Sequence, residues 1–160
     1  MTTESRNRIV HVQLDEKTLV RRKPEVEHER AVAIFDLLEE NVFALSEFPD
    51  NGPYNVHLSI EDNRLVFDVR TQDGQPLTRV MLPLTLFRTI VKDYFMICES
   101  YYNAIKRSTP SQIEALDMGR RGLHNEGSVL LRERLAGKID IDHDTARRLF
   151  TLVCVLHIRA

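Results

Sequence analysis

The stretch from Pro83 to Arg107 constrains this chain more than any other. Phe87, Ile90, Val91, Tyr94, Cys98, Tyr101, Tyr102 and Ile105 recur at three- and four-residue steps. That spacing predicts one long helix with a broad apolar face. Thr89, Lys92, Asp93, Glu99, Ser100, Asn103 and Lys106 fall on the opposite side. Leu84, Phe95 and Ile97 widen the apolar arc, so the helix is expected to touch more than one layer and to act as the spine of a single core. Met96 stands among the charges of the polar face, where it is either incidental or a point of protein contact.

Around this spine the rest reads as one α+β domain spanning residues 1–160. Ile9–Leu14 alternates as a short strand, with Val10, Val12 and Leu14 on one side and Ile9, His11 and Gln13 on the other. A charged connection ends in Arg21, Arg22 and Lys23. Pro24 then suits a first helical position, and Glu25, Glu27 and Glu29 favour the positive end of the helix dipole. The expected buried face of this helix is Ala31, Ile34, Phe35, Leu38 and Val42, with Leu45 at its margin, and the helix is expected to stop before Pro49.

The Pro49–Pro53 segment is a dense loop signal. Tyr54–Ile60 and Leu65–Val69 then alternate as a hairpin around a loop of about four residues, Glu61 to Arg64, and Leu77–Leu82 is a third meander strand. Thr109, Pro110 and Gln112 mark the next boundary as cap, first-turn proline and capping-box partner. The helix they start is expected to reach Leu135, weakened by Gly119, Gly122 and Gly127, and to stop at Gly137. Lys138–Asp142 reads as an edge strand or a plain connection. A last helix begins at Asp142 or Asp144, with Ala146, Leu149, Phe150, Val153 and Leu156 on its main face and Leu152, Val155 and Ile158 apolar elsewhere. The expectation is a small, mostly antiparallel sheet of three to four strands packed on about four helices.

Composition narrows the function classes. A net charge of −2 argues against general electrostatic binding to nucleic acid. The halves differ mildly: residues 1–83 carry 10 Lys and Arg against 15 Asp and Glu, and residues 84–160 carry 12 against 9. No apolar run approaches the length needed to span a bilayer, and the N-terminus lacks the apolar stretch of a signal peptide, so a cytoplasmic protein is expected. Cys98 and Cys154 lie in apolar helical runs and read as buried free thiols.

The most informative polar stretch is Asp117–Ser128. On a continuous helix Asp117, Arg120 and His124 share one face, with Arg121 and Glu126 beside them. An arginine, a histidine and a carboxylate bordering a core suit either an anion pocket or an acid–base site. Arg120 and Arg121 also offer planar forks for phosphate, although no glycine-rich loop follows a strand as a dinucleotide or Walker-type site requires. Ala115, Gly119 and Gly122 align as a groove of small residues. The plainer reading is an internal ion-pair network with close helix packing.

Other constellations are thinner. Glu25 and His28 have the spacing used in di-iron bundles, but no second such motif completes one. Cys154 and His157 are three apart without a matching pair, and His157 reads as a buried, hydrogen-bonded histidine. No serine has the flanking glycines of a nucleophile elbow. No metal and no cofactor are implied.

Four long stretches carry a family resemblance: Val26–Leu37, Lys92–Tyr102, Thr109–Ser128 and Thr145–His157. With them the chain closely resembles, over nearly its whole length, a family of small uncharacterised bacterial proteins typical of the alphaproteobacteria. The resemblance implies a bacterial cytosolic protein and transfers no catalytic residues. Two functional readings stand. The first is a non-catalytic binding or regulatory protein acting through an unknown protein partner or self-association. The second is a small enzyme or ligand-binding protein for an anionic substrate, with Asp117, Arg120, Arg121, His124 and Glu126 as its site, the arginines holding charge and His124 shuttling a proton.

Overall fold

The computed structural model describes residues 6–15 and 24–157. The connection ending in Arg21, Arg22 and Lys23, and Ile158, lie outside the described residues. In chain order the elements are β1 (Ile9–Leu14), α1 (Pro24–Glu39), β2 (Phe43–Leu45), β3 (Tyr54–Glu61), β4 (Arg64–Thr71), β5 (Pro76–Pro83), α2 (Thr85–Arg107), α3 (Pro110–Leu135), β6 (Ile139–Ile141) and α4 (His143–His157). The fold is α+β, with a four-stranded sheet ordered β1-β3-β4-β5 and a two-stranded sheet of β2 and β6. β1 pairs parallel to β3, with α1 in the connection between them; β3, β4 and β5 form an antiparallel meander.

Alternation sets the sheet register. Tyr54, Val56 and Leu58 of β3 face the core beside Leu65, Phe67 and Val69 of β4, and all six are fully buried. The hairpin turn is tighter than the four residues expected. Glu61 and Arg64 still pair, which leaves Asp62 and Asn63 alone at the turn, with φ of 51° and 60°. Asn and Asp tolerate this left-handed region, and its twist matches that of the flanking strands. In β1 a bulge between Ile9 and His11 breaks the period of two. Ile9 therefore enters the core with Val12 and Leu14, where strict alternation places it on the other side.

Helix α3 starts where expected. The Thr109 side chain accepts from the Gln112 backbone N–H and the Gln112 side chain accepts from the Thr109 N–H, completing the capping box, with Pro110 in the first turn. It runs unbroken to Leu135, and Gly137, with φ of 92°, follows its end.

Three expectations need correcting. Helix α1 ends at Glu39, because residues after Asn41 leave to form β2, which pairs with β6. Leu45 is thus a strand residue and Val42 is exposed. The α1 face that packs inward carries Ala33 and Leu37, with Ile34 and Leu38 half-buried, while Ala31 is exposed and Phe35 is 64% exposed. In α2, Ala104 is buried and Ile105 is 51% exposed. Finally, the element around which the others pack is α4, not α2. Nine residues of α4 are buried, against five of the longer α2, and α1, α2, α3 and β3 all contact α4. Its last two turns run Leu152, Val153, Cys154, Val155, Leu156 without a polar interruption, which suits a helix enclosed on every side.

Candidate functional site

Helices α1 and α3 each pack on α4 but barely on each other. The gap between them, with α4 along its base, is a cleft of about 660 Å³. Helical spacing supplies its lining. His28, Glu29, Val32, Ala33 and Asp36 come from successive turns of α1, and Arg120, Arg121, His124 and Asn125 from two turns of α3. His143, Asp144, Arg147, Arg148 and Thr151 come from the polar side of α4, and Tyr94 of α2 closes the inner wall.

The stretch singled out in the sequence divides here. Arg120, Arg121 and His124 line the cleft. Asp117 lies behind the arginines: its two oxygens accept from Arg120 Nη2 and Arg121 Nη2, each at 2.6 Å. Those hydrogen bonds, that from Arg120 foremost, hold the Asp117 carboxyl below the usual carboxylate range. Glu126 is exposed and does not line the cleft. The proposed groove of small residues does not form. A Cβ on Gly119 would stand 2.5 Å from Ile97 Cδ1, so that glycine marks close packing of α3 on α2, whereas Gly122 faces open space.

Arg120 is held from several sides. Besides Asp117 it has Glu29 Oε1 at 4.0 Å and the Tyr101 ring 4.8 Å beneath its guanidinium carbon. Burial works against its charge, but the hydrogen bond to Asp117 and the surrounding groups outweigh it and keep Arg120 fully protonated. Glu29 in turn accepts from the Tyr102 hydroxyl at 2.8 Å, which ties α1 to α2. Arg121, at 74% side-chain exposure, shares Asp117 but leans into the opening. On α4, Arg147 reaches Asp144 only at 3.7 Å, and Arg148 donates to the Glu40 carbonyl at 2.6 Å.

His124 sits deeper. Its Nε2 lies 2.8 Å from Thr151 Oγ1, and the Thr151 hydroxyl donates to the Arg147 carbonyl at 3.3 Å. With the hydroxyl proton so used, Nε2 carries the imidazole proton and donates to Thr151. The ring stacks edgewise on Phe150 and is tilted against Tyr94. Burial, then the charges of Arg147 and Arg120, push its pKa down to about 4. His124 is therefore a neutral hydrogen-bonding group at neutral pH, and a base so lowered is a weaker match to the proton shuttle expected of it. Cys98 and Cys154 are buried free thiols; burial pushes Cys98 up to about 11 and Cys154 upward as well, so neither is an activated nucleophile.

Among the described residues no group of three His, Cys, Asp or Glu side chains is placed to hold a metal ion. Glu25 and His28 are exposed on α1, and His157 Nδ1 lies 3.1 Å from the Val153 carbonyl of its own helix turn. No helix is long and apolar enough to cross a membrane. The α1 and α4 walls escaped the sequence reading. The α4 wall did leave a signal: His143, Asp144, Arg147, Arg148 and Thr151 repeat at three- and four-residue steps along an otherwise apolar helix.

Residues 6–159 match the model of an uncharacterised protein family, UPF0262. The chain belongs to that family. It is 67% identical to the UPF0262 protein of Paramagnetospirillum magneticum over 157 residues, covering 96% of this chain and 98% of that protein. The UPF0262 protein of Rhodospirillum rubrum is 65% identical over 94% of this chain and 92% of its own length. One from Rhodopseudomonas palustris is 60% identical over 96% of this chain and 94% of its own. The matched region spans every described element, so the family match takes in all three walls of the cleft. No solved structure matches the chain.

Proposed function

We propose that this protein binds a small anionic molecule in the cleft between α1 and α3, and that it acts as a binding or regulatory protein rather than as an acid–base enzyme. The observation that carries this reading is the presence of four arginines, Arg120, Arg121, Arg147 and Arg148, in the lining of one concave site. Asp117 and Asp144 are the only carboxylates the described residues give these four within 4.0 Å, apart from Glu29 at the limit of reach from Arg120. Arg147 and Arg121 thus retain donors for a ligand, and arginine offers them in a planar fork suited to carboxylate or phosphate. A neutral His124 beside them supports binding over proton transfer.

The test is calorimetric titration with inorganic phosphate and with succinate, repeated on the Arg121→Ala/Arg147→Ala double variant. Both side chains are more than half exposed, so their removal is expected to leave the fold intact. Affinity is expected to fall about tenfold or more, the loss associated with one to two charge-assisted hydrogen bonds. Unchanged affinity, or no binding of either anion to the wild type, would remove the anion reading.

The protein-contact reading has an observation of its own. Val32 and Phe35 of α1 are exposed large apolar side chains, and Val32 also lines the cleft. Self-association through this helix is expected to appear as a concentration-dependent sedimentation coefficient that Phe35→Ser reduces. A wild type that sediments as a monomer at high micromolar concentration would exclude it.

A further inference from the structure

We infer that the ligand of this cleft is zwitterionic: a small molecule carrying an ammonium group as well as its acid group, with Asp36 receiving the ammonium. The inference rests on the anion reading above and adds a second charge to it. Its ground is the way the lining charge is divided between the walls. The α3 and α4 walls bring four arginines against Asp144 in the lining and Asp117 behind it, an excess of positive charge. The facing α1 wall brings Glu29 and Asp36 and no lysine or arginine.

The two carboxylates of that wall are not equivalent. Glu29 is committed to the Tyr102 hydroxyl and to Arg120. Asp36, two helical turns further along α1, is half-buried at the cleft, and among the described residues its carboxylate has no hydrogen bond and no cation within 4.0 Å. Arg148 is the nearest candidate by position, since it bonds the Glu40 carbonyl one turn on. Its Nη1 is spent there at 2.6 Å and it forms no ion pair with Asp36. A carboxylate left open in a cleft otherwise rich in cations would repel a simple anion. It would attract one that also carries an ammonium, whose donors match carboxylate oxygens. Val32, Ala33 and Tyr94 also line the cleft and supply apolar surface that suits a short hydrocarbon spacer.

The experiment titrates the wild-type protein with ω-aminoalkanoates of two to six carbons, and with the plain alkanoates of the same lengths, at neutral pH. At the best-fitting length the amino acid is expected to bind about tenfold more tightly than its matched alkanoate. In Asp36→Asn that ratio is expected to collapse to near one while the alkanoate keeps its affinity or gains. In Arg121→Ala/Arg147→Ala both compounds are expected to weaken together. Alkanoates that bind while the amino group adds nothing at any length would overturn the zwitterion and leave the anion reading standing. A tenfold preference that survives Asp36→Asn would overturn the role of Asp36. Absence of binding by every compound, phosphate and succinate included, would overturn both readings.

Discussion

Phe150→Ala is expected to cost about 3–5 kcal/mol of stability, measured by urea unfolding. The ring is fully buried in α4 and touches Tyr94 and His124, two residues of the cleft wall. It can lie there because α3 presents Gly127 at the point of contact. A Cβ on Gly127 would overlap the end of the Phe150 ring, so the notch and the ring are one joint. Gly127→Ala alone is expected to cost about 1–3 kcal/mol through overpacking, despite the roughly 1 kcal/mol that alanine returns in helix propensity. The combination Gly127→Ala/Phe150→Leu is expected to be less destabilised than the sum of its parts by about 1 kcal/mol or more, because a shorter side chain makes room for the methyl. Strict additivity would show that the notch does not hold the ring. This joint sets how closely α3 approaches α4, and therefore the width of the cleft above them.

The second large effect is acid destabilisation through His124. Its pKa is about 4 in the folded protein, against an ordinary histidine value near 6.5 in the unfolded chain. Between those values the unfolded chain binds a proton that the folded protein refuses, so stability rises with pH across that window. The contribution is present in full above about pH 6.5 and falls progressively toward pH 4, by up to roughly 3 kcal/mol. His157, whose pKa is lowered by burial, acts in the same direction. Asp117, with its lowered pKa, adds a further loss only once the pH falls through the carboxylate range. Chemical unfolding at pH 7, 6, 5 and 4 measures the slope, and His124→Gln is expected to remove most of it. The ring resonances of His124 should show no titration between pH 8 and 5; a midpoint near 6.5 would contradict the burial argument.

Much of the fold was legible because it is written in local periods. The β3–β4–β5 meander follows from alternation, and α3 from Thr109, Pro110 and Gln112, whose capping box forms as the spacing requires. What failed was decided by contacts far along the chain. The face of α1 turned so that Ala33 and Leu37 meet the core in place of Phe35, a choice made by packing on α4 and β1. Strand β2 is three residues long and exists because β6, nearly a hundred residues later, pairs with it. The cleft divides in the same way. Arg120, Arg121 and His124 stood out because they lie within five residues of one another beside apolar positions. Asp36 gave no comparable signal and Arg147 only the polar spacing along α4, since the packing of α1 and α3 on α4 is what brings their walls together. Glu126 shared the stretch but not the face.

The four-stranded sheet ends on β1 at one side and β5 at the other, and open strand edges invite another chain to add itself. Neither edge here is fully open. β5 begins at Pro76 and ends at Pro83, so both its ends lack the N–H that an incoming strand would need. On β1, Asn41 does the work of a peptide unit. Its Oδ1 accepts from the Ile9 N–H at 2.7 Å, and its Nδ2 donates to the Ile9 carbonyl at 3.0 Å and to the Leu37 carbonyl at 2.7 Å. One side-chain amide thus occupies the place of a neighbouring strand and finishes α1 as well. Sheet extension between copies of this chain, the route that leads to fibres, is thereby disfavoured at both edges.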